Sequence, residues 1–130
     1  MMYNLNLNLL EKFGTPTLWK KASAIFPLTE EEIITYEDKV DWDEVARHQK
    51  MSCDFIVLHR SRLQSSLLAL NPQIGEDLLS DLLTSKIVSG RDVSHRKDLS
   101  PDFIRLQRNS LDSAILVKNG YISERMVYGG

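Results

Sequence analysis

The chain has little of most things that announce a chemistry. Its 130 residues include one cysteine, Cys53, so no intrachain disulfide can form. That usage points to a reducing compartment such as the cytoplasm. No apolar run approaches the roughly 20 residues that a transmembrane helix needs, so no membrane partner is expected. The first ten residues alternate Asn and Leu, with neither a basic start nor a small-residue cleavage site, and do not read as a signal peptide. Formal net charge is only -2, which argues for neither a polyanion nor a general nucleic-acid binder. Gly-x-Ser-x-Gly, P-loop, His-Glu-x-x-His and dinucleotide fingerprints are all missing. Clean strand alternation is confined to Asn4–Leu10, which reads as a short strand or as the start of a degenerate helix.

What the chain does have is self-similarity. Met51-Ser52-Cys53-Asp54-Phe55-Ile56 lies over Leu99-Ser100-Pro101-Asp102-Phe103-Ile104 at an offset of 48, and Leu58, Arg60, Leu63 and Ser65 lie over Leu106, Arg108, Leu111 and Ser113. Half that offset finds further copies, so that units start at Leu5, Leu28, Met51, Ile74, Leu99 and Ile122. Their spacings are 23, 23, 23, 25 and 23, with the two extra residues falling between Leu83 and Val93, near Gly90. The expected fold is all-α: one domain over residues 1–130, built as an array of five to six helix–turn–helix units and roughly ten helices.

Each position of the unit has a physical reading. An apolar residue comes first (Leu28, Met51, Ile74, Leu99, Ile122), then a helix N-cap (Thr29, Ser52, Gly75, Ser100, Ser123). Acids follow at Glu31, Asp54, Asp77 and Asp102, where the helix dipole favours negative charge, and Pro101 takes the first helical position. This first helix should run about 8–10 residues. A second apolar pair follows (Val40 and Val45, Leu63 and Leu68, Leu111 and Leu116), then a small residue (Ser23, Ala46, Ala69, Ser94) that would let helices approach closely. Trp19 and Trp42 occupy equivalent places and are expected to pack in the core or between units. Gly14-Thr15-Pro16, Pro27, Asn71-Pro72 and Gly90 all fall between expected helices.

Val40-Asp41-Trp42, His48-Gln49-Lys50-Met51-Ser52 and the two Asp-Phe-Ile segments resemble the short helical repeats of tailed phages and large DNA viruses, of the form "VDW…QKLSEDFI". The resemblance covers about residues 28–127; Ser65 and Ser113 stand where that pattern favours Trp. It implies a viral or phage origin and a helical-repeat fold, and it implies no activity.

No enzyme is expected, and no cofactor. His48-x4-Cys53-x5-His59 is not a zinc spacing. Cys53 at the first position of a helix could be activated by His48 or His59, but Glu30, Glu76 and Pro101 fill the same slot in other units, which marks it as variable.

Charge distribution says more. Residues 28–44 hold eight acids against one lysine, a net of -7: Glu30, Glu31, Glu32, Glu37, Asp38, Asp41, Asp43 and Glu44. Residues 45–63 and 85–108 each carry a net of +3. His48, Lys50, Arg60 and Arg62 would align with Arg96, Lys97, Arg105 and Arg108 in a basic stripe if alternate units face the same way. The candidate contact residues are therefore these acids and these arginines and lysines. The expected partner is a host protein, in the manner of small phage inhibitors of host defence nucleases such as anti-CRISPR proteins, within the host cytoplasm. A nucleic acid on the basic stripe is the rival. A self-associating assembly component is the third reading, because Tyr121, Met126, Val127 and Tyr128 leave an apolar end suited to a homodimer.

Overall fold

Six-residue helices cannot stand alone in water; below about 12–15 residues an isolated helix is marginal. The described helices of this chain run from five to ten residues, and caps and shared burial hold them. The computed structural model describes residues 7–123, the side chain of Asn8 excepted. Among the described residues there are ten helices and no strand. They are α1 (Leu7–Phe13), α2 (Pro16–Ile25), α3 (Glu30–Thr35), α4 (Trp42–His48), α5 (Cys53–Leu58), α6 (Ser65–Leu70), α7 (Glu76–Thr84), α8 (Gly90–Ser94), α9 (Pro101–Leu106) and α10 (Ser113–Lys118). The expected unit start at Leu5 and the last unit beyond Ser123 lie outside the described residues, as does the Asn4–Asn6 part of the alternating segment.

The caps fall where the sequence places them. Thr29 accepts from the Glu32 amide at 3.0 Å while Glu32 accepts from the Thr29 amide at 2.9 Å, a reciprocal capping box. Ser52 and Ser100 accept from Phe55 and Phe103. Asp41, Ser89 and Asp112 cap α4, α8 and α10 in the same way. Pro16 and Pro101 sit in first turns. Most odd-numbered helices are shorter than the expected 8–10 residues: α3, α5 and α9 have six each. Only α7 reaches nine, because the two-residue insertion lengthens that helix and its exit, where Lys86 takes a positive φ of 60°. Gly90, expected between helices, instead opens α8, and a β-carbon there would run into the Ser110 carbonyl.

The even-numbered helices pack in sequence, α2 on α4, α4 on α6, α6 on α8 and α8 on α10, while α5 packs on α7. Both apolar sets of the unit are buried: Leu28, Met51, Ile74, Leu99 and Ile122 at its start, and Val45, Leu68, Val93 and Leu116 on the even helices. Each such fully buried leucine or isoleucine contributes about 1.5–3 kcal/mol. The small residues Ser23, Ala46, Ala69 and Ser94 have no exposed surface, so neighbouring even helices do approach through them. Ser23 and Ser94 add a bond that alanine cannot, accepting the amides of the next even-numbered helix's cap residue, Asp41 for α4 and Asp112 for α10, at 3.0 and 2.8 Å. Trp19 is buried against Tyr36, whereas Trp42 is half-buried and donates from Nε1 to the Glu37 carbonyl at 3.0 Å.

A polar ladder closes the far ends of the even helices. Gln49 Nε2 donates to the Ser23 and Phe26 carbonyls, both at 2.7 Å, and its Oε1 accepts from Leu28. Asn71 Nδ2 donates to Ala46 and Gln49 carbonyls at 2.8 and 2.9 Å. Arg96 does the same for Ala69, Asn71 and Ile74, and Asn119 for Ser94. Each side chain thus satisfies carbonyls that the preceding even helix leaves open at its C-terminus.

Candidate functional site

The ladder removes one member of the expected basic stripe. Arg96 is 5% exposed. Nε and Nη2 bond Asp98 at 2.8 and 2.9 Å, and the remaining three N–H groups go to backbone carbonyls, so its donor fork is filled inside the protein. That guanidinium holds the Asp98 carboxyl below the usual carboxylate range, against the opposing effect of burial. Arg96 is a structural clip rather than a contact residue. Its neighbour Lys97 is exposed and donates to Asn119 Oδ1 at 2.9 Å.

The other basic candidates are dispersed among acids. Arg62 reaches Glu37 at 3.3 Å and lies 4.9 Å from the centre of the Trp42 ring. Arg105 pairs with Asp102 on the open surface of α9. Arg60 is exposed, and Arg108 is half-buried beside Arg105, where both line a cavity of about 240 Å³ with Ile104 and Tyr121.

The acidic run is likewise put to internal use. Glu44 is 7% exposed, with Arg47 at 2.8 Å and His48 Nε2 at 3.6 Å, so it presents no charge to a partner. Asp41 is a cap, Glu32 belongs to the capping box, and Glu30 accepts the Ser52 amide at 2.7 Å. Glu76 repeats that last contact on Ser100, taking its amide and its hydroxyl at 2.7 Å each. Among the described residues, Glu31, Asp38 and Asp43 make no side-chain hydrogen bond or ion pair, and of these Glu31 and Asp38 are exposed. A continuous acidic face of eight carboxylates is therefore not what the fold builds.

The apolar end expected of the C-terminal unit also differs. Tyr121 is turned inward: its hydroxyl donates to the Arg96 carbonyl at 2.7 Å and accepts from the Leu99 amide at 3.1 Å. Met126, Val127 and Tyr128 lie outside the described residues. The histidines are separated in role. His48 faces Glu44, while His59 packs on the Phe55 and Trp42 rings at 4.6 and 5.7 Å. Cys53 does open α5 and is half-buried, with neither histidine bonded to it. Among the described residues no three His, Cys, Asp or Glu side chains gather in a metal-binding group, and no helix is long and apolar enough to cross a membrane.

One feature of the surface was not visible in the charge count. Between α3 and α5 runs an open groove of about 480 Å³. Ile34, Thr35, Phe55, Leu58 and His59 line it, and Glu30, Glu31 and Asp54 stand on its edge. Leu58 is 77% exposed, and Ile34 and Val57 are exposed on the same two helices. The sequence contained a signal for this: past the buried Ile33, Ile56 and Ile104, the last helical turn still carries the apolar residues Ile34, Val57, Leu58 and Leu106.

The chain matches no protein-family model, no curated protein and no solved structure.

Proposed function

We propose that the chain is a non-catalytic helical-repeat protein whose work is to bind another protein, with the α3–α5 groove as the contact. The repeat reading is supported by helix starts at 30, 53, 76 and 101 and at 42, 65, 90 and 113, spaced as the sequence units are, and by the recurrence of the same cap and ladder bonds. The binding reading rests on one observation: exposed Ile34 and Leu58 line an open groove of about 480 Å³ between α3 and α5. Exposed apolar surface of this kind marks interaction sites. Phage origin and action against a host nuclease follow only from the repeat resemblance, and they choose the material for the test.

Nucleic acid is the less favoured partner. The stripe loses Arg96 to the interior, and Arg62 and Arg105 are each matched by a carboxylate, so fewer cations remain for phosphate than the sequence count gives.

The test is an affinity capture from nuclease-treated bacterial host lysate with wild-type protein and Leu58→Asp. A stoichiometric protein retained by the first and lost by the second supports the proposal. Equal capture by both, or capture of only nucleic-acid-associated proteins that nuclease removes, refutes it.

A further inference from the structure

The groove also carries information about what fits it. We infer that it takes a cationic amphipathic segment of a partner protein: apolar side chains seated between Ile34 and Leu58, with lysine or arginine set against Glu31 and Asp54. This rests on the binding reading above and adds the partner's chemistry to it.

The lining supplies both halves of the argument. Ile34 on α3 and Leu58 on α5 both line the groove, together with Phe55, which is buried and packed on the His59 and Trp42 rings at 4.6 and 6.4 Å. A volume of about 480 Å³ lies within the range of ligand clefts, roughly 300–1,000 Å³, and suits a few side chains of one segment. Laying an apolar face into such a groove is a recurrent mode of peptide recognition.

The edge then selects charge. Three carboxylates stand among the lining residues and no lysine or arginine does. Glu30 is fixed by the Ser52 amide, while Glu31 and Asp54 are exposed and make no side-chain bond among the described residues. Arg62 follows shortly after α5 in the chain, but it is drawn away by Glu37 and the Trp42 ring. An acidic segment would meet uncompensated repulsion here, whereas a basic one is steered in and oriented.

The experiment is a selection of random 16-residue peptides displayed against the immobilised protein. Selected sequences are then synthesised with a fluorescent label and measured by anisotropy. The proteins compared are wild type, Leu58→Ala and the double variant Glu31→Gln/Asp54→Asn. All three positions are exposed, so the fold should be kept, and circular dichroism checks this. Selected peptides should be apolar with net positive charge. Leu58→Ala should weaken them at least about tenfold, the scale of a central apolar anchor. The double variant should weaken them several-fold at low salt, with the difference fading as salt is raised.

Neutral or acidic winners, affinities unchanged by Leu58→Ala, or no enrichment at all would overturn the inference. So would sedimentation showing that the groove is filled by a second copy, with self-association lost in Leu58→Ala. Leu106, 81% exposed beside Arg105, is the segment of this chain that such a copy would offer. Lysate capture that depends on Leu58, together with failure of cationic peptides, would leave the binding proposal standing and remove only the partner chemistry.

Discussion

Arg96→Ala separates a structural clip from a contact residue. In the fold the side chain bonds the Ala69, Asn71 and Ile74 carbonyls at 2.9–3.0 Å and the Asp98 carboxylate at two points. Alanine removes these donors; the Asn71 carbonyl keeps the Ile74 amide at 3.0 Å, while the Ala69 and Ile74 carbonyls lose the Arg96 bonds, at about 1–3 kcal/mol for each buried group left unsatisfied. Water entering the vacated space recovers part of that. The ion pair adds little, because the Asp98 side chain is 57% exposed and such pairs contribute about 1 kcal/mol or less. The expected loss is about 3–5 kcal/mol. For a chain of this size that corresponds to a fall in Tm of about 10–20 °C. Urea and thermal unfolding followed by circular dichroism measure it. Arg96→Lys keeps the charge but not the planar five-donor fork, so it should lose about 2 kcal/mol or more. If both variants unfold within about 0.5 kcal/mol of wild type, as surface substitutions do, the clip reasoning is wrong.

Other perturbations test neighbouring parts of the argument. Asp98 has a lowered pKa in the fold, so its contribution to stability is present above the ordinary carboxylate range and is lost as pH falls through the lowered value. Unfolding of Asp98→Asn should therefore differ from wild type at pH 6–7, and the difference should begin to shrink only below about pH 4, vanishing as pH falls past the lowered folded-state value. Asn71→Ala removes two buried donors and should cost about 2–4 kcal/mol in urea melts. Gly90→Ala places a β-carbon against the Ser110 carbonyl and should cost about 1–3 kcal/mol by thermal melt; a neutral result would mean the chain there yields freely. Arg62→Ala should cost about 1 kcal/mol or less, since both members of its pair with Glu37 are substantially exposed.

The apolar frame of the fold was legible because each position admits few residue types. A helix start needs an oxygen or no side chain, hence Thr29, Ser52, Gly75 and Ser100, and a buried slot needs hydrocarbon, hence Leu28, Met51, Ile74 and Leu99. The ladder was not legible because its chemistry is degenerate. Gln49, Asn71, Arg96 and Asn119 reach the same kind of carbonyl with different groups. Asn71, Arg96 and Asn119 each stand six residues after the starts of α6, α8 and α10, and Gln49 seven after that of α4, so the position recurs while its residue type does not, and a search by residue type passes over it.

Charge misled for a related reason. Counting by segment treats the acidic segment and the following basic segment as two faces, yet the fold sets some of their side chains opposite each other. Glu37 of one segment meets Arg62 of the next, and Glu30 and Glu76 reach across to the caps at Ser52 and Ser100. Cys53 and Pro101 hold the position of Glu30 and Glu76 in the alternate units and can accept no such bond. Acceptor and recipient units therefore alternate. That alternation is a physical reason for the closest internal match to lie at 48 residues rather than at 23: Met51-Ser52 and Leu99-Ser100 both begin units that receive a carboxylate from the unit before. On this account the surface charge left for a partner is what the unit-to-unit contacts do not consume, and at the α3–α5 groove that remainder is Glu31 and Asp54.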